Sequence, residues 1–460
     1  NSAWKEKEDE VEEDPVETEN ATDEPIQKPM TGDTETVDAQ QWAEGVDHEL
    51  DELRSAIDTK CQSLQDRIGQ VERDFIEVTG MLTTTKRGEK SIEAKSWKML
   101  SKSLRPLPEK WHGLQDVEER YRQRYLDLIL SDDIKKNFIT RFKTIAAIRR
   151  YFQDNRFLEV ETPVLQLIPG GATARPFETH MNDMDLNLFL RVAPELYLKR
   201  LLVGGFSRVF EIGKNFRNEG MDREHNPEFT MLEAYAAYKD YQWLMQFTED
   251  LLVSVTTEVL GAPEISYQGK RIVLERPFRR LAWNDLVKEA SGLDYATATV
   301  EDFAARAREL DVVVEKSMTK STLADEIYKK TLRHAMLEPV FVIDHPLELS
   351  PLSKKTSPDA DTVARFQLLV GGFEMTNAFS ELNDPIDQRE RLIQQQKLRE
   401  EGSEEAQRVD EDFIIALEHG MPPAAGIGIG IDRLVALLTD SHSLRDILLF
   451  PTMKPKTKNE

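Results

Sequence analysis

In this chain of 460 residues, the run Phe216-Arg217-Asn218-Glu219-Gly220 is followed at once by His225-Asn226-Pro227-Glu228-Phe229-Thr230-Met231-Leu232-Glu233-Ala234-Tyr235. Together they gather a guanidinium, carboxylates, an imidazole and aromatic rings around a glycine-bearing turn. A guanidinium is a planar fork that grips anionic oxygens two at a time. The flanks 209–212 and 229–233 have strand character, so the pattern is a hairpin with a charged loop. Alternation along the second strand puts Phe229, Met231 and Glu233 on one face. A carboxylate among apolar neighbours is costly unless something pairs with it. The stretch therefore reads as an active site, with a salt-bridged surface hairpin as the alternative.

Elements able to hold that hairpin surround it. Helical patterns cover 120–130 and 136–154, and a strand at 158–162 ends at Pro163. Residues 172–240 read mainly as strands and turns around a helix at 195–203. From about 245 to 340 the chain turns helical and charged, with amphipathic stretches at 301–310 and 323–335, as an insertion would. Strands return at 341–343, 364–371 and 373–379, followed by a helix at 385–400. A glycine-alternating strand at 425–431 then runs into a helix at 432–438.

Upstream, residues 1–44 carry fifteen acidic residues against three lysines and few aromatics, a composition expected to be disordered. Val46, Leu50, Leu53, Ile57, Cys61, Leu64, Ile68 and Val71 then mark one stripe of an amphipathic helix over 45–73. It suits either a short coiled coil with a partner or a helix lying on the following domain, and the second is preferred. Runs at 75–78 and 91–97, joined through Lys86-Arg87-Gly88, predict a hairpin. The basic stretch 86–124 is either a polyanion-binding face or a solvated linker.

Three separated blocks call for one explanation: Asn155-Arg156-Phe157-Leu158-Glu159-Val160-Glu161-Thr162-Pro163, the Arg217 hairpin, and Gly426-Ile427-Gly428-Ile429-Gly430-Ile431-Asp432-Arg433. Together they resemble motifs 1, 2 and 3 of class II aminoacyl-tRNA synthetases. The blocks at 168–172, 191–200, 231–233, 377–385 and 441–446 narrow the resemblance to lysyl-tRNA synthetases, from about residue 74 to 455. The resemblance implies an α+β fold whose catalytic domain, an antiparallel sheet flanked by helices, spans 109–460 with the helical insertion at about 245–340. A partial OB-fold remnant at 74–108 would precede it, lacking the strands that normally read the anticodon. Arg156 stands where motif 1 usually has glycine, though neighbouring Asn155 can adopt the left-handed conformation.

The implied reaction is ATP-dependent activation of L-lysine to lysyl-adenylate and transfer to the 3′ end of tRNA-Lys. Attack of a carboxylate on the α-phosphate of ATP brings two anions together, so cations must hold them in line. By resemblance, Arg217 grips the α-phosphate and the lysine carboxylate, Arg433 the γ-phosphate and His225 the phosphate tail. Phe229 stacks on the adenine and Glu219 lies near its edge. Glu233 and Glu381 hold the side-chain ammonium beside Tyr235, with Phe379 along the stem. Gly171 and Glu195 meet the α-amino group, and Asn377 the carboxylate. Mg2+ accompanies ATP on Glu374; its second family position falls on Gln367, where a Glu is usual. The glycine alternation at 426–430 is expected to let the nucleotide approach the strand backbone.

The composition is compatible with this reading. A net charge of -24 argues against non-specific coating of nucleic acid or membranes. One cysteine excludes a disulfide framework and a Cys-rich zinc site. With no apolar h-region, Arg-rich presequence or long apolar run, no membrane association is expected and the cytoplasm is the expected compartment. The resemblance implies a homodimer through the motif 1 region; the acidic tail and helix 46–72 offer a surface for a protein partner. Two other functions compete: a synthetase-like paralogue that lysylates a protein acceptor, and a non-catalytic regulatory or scaffold protein.

Overall fold

The computed structural model describes residues 74–105, 107–108, 114–315, 318–403 and 405–456. The expected acidic tail at 1–44 and helix at 45–73 lie outside them. The chain divides into two units, Asn1–Leu107 and Pro108–Glu460. In the first, β1 (Phe75–Thr84) and β2 (Lys90–Ser101) form a two-stranded antiparallel sheet. Gly88 turns the hairpin at φ +85°. At its open end Asp74 accepts hydrogen bonds from Lys102 Nζ at 2.7 Å and the Ser103 amide at 2.9 Å.

The second unit opens with α1 (Val117–Arg122) and α2 (Arg124–Leu130). The helix expected over 120–130 breaks at Gln123, which leaves the helical region at φ −117°, ψ 51°. Past the break, buried Arg124 pairs with Asp127 and donates to the carbonyl of Arg445 at 2.9 Å. The long helix α3 (Asp132–Asp154) starts on Ser131, whose hydroxyl accepts from the Ile134 amide, with Asp132 and Asp133 in its first turn. The turn after it departs from expectation. Asn155 keeps φ −86°, and exposed Arg156 itself takes φ +64°.

Short strands β3 (Leu158–Glu159), β4 (Leu165–Gln166), β5 (Glu178–Met181) and β6 (Leu186–Leu190) lead to α4 (Glu195–Val203) and the hairpin β7 (Arg208–Phe216) and β8 (Glu228–Ala237). Next come α5 (Tyr241–Leu260), β9 (Glu264–Tyr267), β10 (Lys270–Val273), β11 (Arg279–Ala282), α6 (Trp283–Ser291), α7 (Val300–Glu309), α8 (Lys320–Thr331) and β12 (Val340–Ile343). The chain ends through β13 (Arg365–Val370), β14 (Phe373–Ser380), α9 (Pro385–Glu400), α10 (Glu411–Glu418), β15 (Ala424–Gly430) and α11 (Ile431–Leu438).

One eight-stranded sheet, ordered β11-β12-β13-β14-β15-β8-β7-β3, organises the unit. Its pairings are antiparallel except at the two edges, where β11 runs parallel to β12 and β3 to β7. Alternation divides each central strand between the two faces. Leu232, Ala234 and Ala236 of β8 join a core with Phe152 of α3, Leu251 of α5 and Leu434 of α11, while Met231, Glu233 and Tyr235 turn to a cavity on the opposite face.

Within the expected insertion, 245–340, the structure places two different things. Helix α5 belongs to the main core, through Leu244, Phe247 and Leu251. Helices α6 to α8 form a separate cluster around Trp283, Phe303 and Ile327 that covers Val340 and Val342 of β12. Among the described residues, no helix is long and apolar enough to cross a membrane.

Candidate active site

The cavity on the open sheet face has a volume of about 1120 Å³. Strand alternation fills its floor: Phe229, Met231, Glu233 and Tyr235 come from β8, Asn377 and Phe379 from β14, Gln367 from β13. The loop between β7 and β8 adds Arg217, Glu219 and His225 at one end, and Arg433 enters from the first turn of α11. Gly171, Glu195 and Glu374 complete the predicted set, which thus converges on one space. Glu381 is the exception. It lies behind the wall, 1 % exposed.

The cationic end is held by a chain of contacts. Arg217 places its guanidinium carbon 5.0 Å from the Phe229 ring centroid, and its buried Nε has no hydrogen-bond partner. Burial first, and the charge of Arg433 further on, draw the Arg217 pKa below its ordinary value; the carboxylate of Glu219 acts the other way. An anion would relieve both costs. Arg433 donates through Nη1 to the Glu374 carbonyl at 2.9 Å and through Nη2 to His225 Nε2 at 3.2 Å. His225 Nδ1 in turn lies 2.9 Å from Asp222 Oδ2, so the proton belongs on Nδ1 and the lone pair on Nε2. Glu219 is exposed, and accepts from the Arg175 amide at 3.3 Å.

What fixes Arg433 is its neighbour. Asp432 Oδ2 accepts from the Thr230 amide at 2.8 Å, and Oδ1 lies 2.7 Å from Arg141 Nη1 of α3. Arg141 also donates to Thr230 Oγ1 at 3.1 Å. Three segments far apart in the chain are thereby tied together at one buried ion pair.

The other end of the cavity is acidic. Tyr235 donates from its hydroxyl to Glu233 Oε2 at 3.1 Å. Burial, reinforced by the charge of Glu195, pushes the Glu233 carboxyl up to about 8. Glu381 is likewise pushed up to about 8 by burial, against the pull of Lys199. Its Oε2 lies 2.5 Å from Lys199 Nζ, and the Gly426 amide also supports the carboxylate. Acids buried this deeply favour a cation.

Two glycines make this end possible. At Gly171, with φ +87°, a Cβ would stand 2.7 Å from Glu195 Cβ. At Gly426 it would stand 2.2 Å from Glu381 Oε1 and 2.4 Å from Tyr235 Cε1. Of the β15 glycines, Gly426 makes room for Glu381 and Tyr235, whereas a Cβ at Gly428 would meet Met231 Cε and one at Gly430 would meet the Arg433 side chain.

Several lining or supporting residues escaped the sequence reading. Arg365 donates through Nε to Asn377 Oδ1 at 2.8 Å and through Nη1 to Ser350 Oγ at 2.7 Å, fixing the Asn377 amide. Lys199 is fully buried against Glu195 and Glu381; its spacing of four from Glu195 was the available signal. His345 is buried with Nε2 3.1 Å from Gln367 Oε1, and burial, with help from Arg365, lowers its pKa to about 3.

For a divalent cation, Glu374 offers a cavity-facing carboxylate, whereas the Gln367 oxygen is engaged by His345. Among the described residues, no three His, Cys, Asp or Glu side chains converge as a ligand set. This fits a Mg2+ held mainly by phosphates and water, with one protein carboxylate; it does not fit an all-protein cage.

The family described as tRNA synthetases class II (D, K and N) matches residues 116–454. The chain belongs to that family. It is 52% identical over 385 residues to the lysine-tRNA ligase of Carboxydothermus hydrogenoformans, covering 83% of this chain and 79% of that protein. The lysine-tRNA ligase of Bacillus subtilis is 52% identical over 384 residues, covering 83% and 77%. That of Synechococcus sp. is 53% identical over 388 residues, covering 84% and 77%. The family match takes in Arg141, the β7–β8 hairpin and α11, the three places joined by the Asp432 network.

Proposed function

We propose that the chain is a lysine-tRNA ligase, activating L-lysine with ATP and passing the lysyl group to the 3′ end of tRNA-Lys. One observation carries the reading: a single cavity has a guanidinium with an unpartnered buried donor, Arg217, at one end and buried carboxylates at the other. Lysine with ATP is a substrate pair of that polarity, and relatives about half identical over most of the chain carry the same name.

In the first step an oxygen of the lysine carboxylate attacks the α-phosphorus and pyrophosphate leaves. Arg217 suits the point where both anionic groups meet, because its buried Nε has no hydrogen-bond partner and a charged donor serves a developing charge better than a neutral one. Arg433, held by Glu374 and His225, suits the distal phosphates, and Phe229 offers a ring face to the adenine. Asn377, held by Arg365, suits the lysine carboxylate; Glu195 and Gly171 suit the α-amino group. Glu233, Tyr235 and Glu381 suit the side-chain ammonium, with Phe379 along its stem. Glu374 would hold Mg2+, which supplies charge neutralisation on the phosphates when bound. In the second step a 3′-terminal ribose hydroxyl attacks the carbonyl carbon and AMP leaves.

Residues 109–460 would then be the catalytic domain and 74–108 a remnant of an OB fold. A homodimer through the motif 1 region and a cytoplasmic location belong to the same proposal. Lysine-dependent exchange of pyrophosphate into ATP, followed by charging of tRNA-Lys and of an anticodon-altered transcript, tests it. Exchange without charging would favour a protein acceptor, and absence of both would sink the proposal.

A further inference from the structure

Lys199 has no role in the chemistry above, yet it is the best-buried cation beside the site. Its side chain is 0 % exposed, with Nζ 2.6 Å from Glu195 Oε1 and 2.5 Å from Glu381 Oε2. The rings of Phe379 and Phe413 lie 5.5 Å and 6.0 Å from it and close off water. Lysine is almost never buried so completely unless it is paired. Here it bridges the two carboxylates proposed to read different amines of one substrate. Each gives a single oxygen to Lys199. Glu195 still faces the cavity, and the second oxygen of Glu381 lies over the backbone of Gly426.

The charges balance only with Lys199 included. Glu195, Glu233 and Glu381 bring three potential negative charges to one water-poor region; the two ammonium groups of lysine bring two positive ones. We propose that Lys199 is a positioning residue, a resident ammonium that aims Glu195 and Glu381 and favours their ionised forms, so that with lysine bound the pocket offers two net negative charges to its two amines. This inference rests on the lysine-activating reading of the site.

The other groups around Lys199 leave it as the bridging cation. β8 contributes Glu233 and Tyr235; β7 contributes Glu211, which pairs with Arg191. α10 contributes Phe413, while its cap Asp410 pairs with Arg200. Burial lowers the Lys199 pKa, but the charges of Glu195 and Glu381 more than reverse this, and it stands above its ordinary value. Without Lys199, the carboxylates would hold protons to higher pH, and lysine would have to displace them.

The test is pyrophosphate exchange by the full chain between pH 6 and 9, with KM for lysine and for ATP measured separately, in wild type, Lys199→Met and Lys199→Arg. If wild type shows no lysine-dependent exchange, the lysine-activating reading fails and this proposal with it. If wild type is active, Lys199→Met should raise the lysine KM by about 30-fold or more with ATP KM within about threefold, a ratio worth about 2 kcal/mol. The acid limb of kcat/KM for lysine should move to higher pH by about one unit. Lys199→Arg should keep the wild-type limb with a lysine KM raised less than tenfold, and it decides between the outcomes should Lys199→Met fail to fold. An unchanged lysine KM and limb in Lys199→Met, or a rise of both KM values together in Lys199→Arg, overturns the proposal alone.

Discussion

Replacing Asp432 by Ala should be among the most damaging single changes outside the substrate-contacting residues. In the native chain Asp432 satisfies the Thr230 amide at 2.8 Å and faces Arg141 Nη1 at 2.7 Å, the two ionic side chains being 4% and 10% exposed. The variant leaves a guanidinium buried without its counter-charge, which costs about 3–5 kcal/mol. The orphaned Thr230 amide adds about 1 kcal/mol. Urea unfolding of wild type, Asp432→Ala, Arg141→Leu and the double variant measures this directly. Because the double variant removes both charges, its loss should fall short of the sum of the single losses by at least about 2 kcal/mol. In the folded fraction, ATP KM should rise more than lysine KM, because Arg433 follows directly on Asp432. A loss below about 1 kcal/mol for Asp432→Ala, or a coupling below about 0.5 kcal/mol, would refute the view that this pair ties the three segments together.

Lysine binding should release protons near neutral pH. Glu233 and Glu381, pushed up to about 8 in the empty pocket, hold protons that the bound ammonium expels. Affinity should therefore climb from pH 6 to 8 and level off above; calorimetric heats at pH 7 that do not depend on the buffer would contradict this. For the empty protein the sign reverses. These carboxyls bind protons more tightly than in the unfolded chain, so their stabilising contribution is full below their ordinary value of 4.5 and disappears as pH rises through about 8, as melting curves across that range will report. Gly426→Ala should raise lysine KM at least about tenfold while ATP binding survives, since the added carbon meets Glu381 and Tyr235; equal effects on both substrates would speak against it. Gln367→Glu adds a second carboxylate to the cavity that Glu374 lines and should lower the Mg2+ concentration needed for half-maximal exchange, read by titration at fixed ATP.

Much of the site was legible because its side chains sit on strands of period two. Once 229–233 reads as a strand, Phe229, Met231 and Glu233 must share a face, and the structure adds Tyr235 to the same row. Helix ends were legible where a cap marks them, as at Asp384, whose carboxylate accepts from the Ile386 and Asp387 amides at the start of α9. Arg156 was read less well. Propensity favours Asn155 for the left-handed position, yet the turn demands it one residue later, at Arg156, whose side chain is exposed.

The sequence by itself determined the residue types, their order and the faces they share within one element, because those depend on local geometry that a few neighbours dictate. Only the tertiary structure decided which elements meet. It brought Asp432 to Arg141 across almost three hundred positions, set Glu381 behind Gly426 instead of in the cavity wall, and gave Lys199 a second carboxylate from outside its own helix. Such contacts follow from the order of strands in one sheet and from the need to pair every buried charge, conditions that the whole fold satisfies at once and that no local window contains.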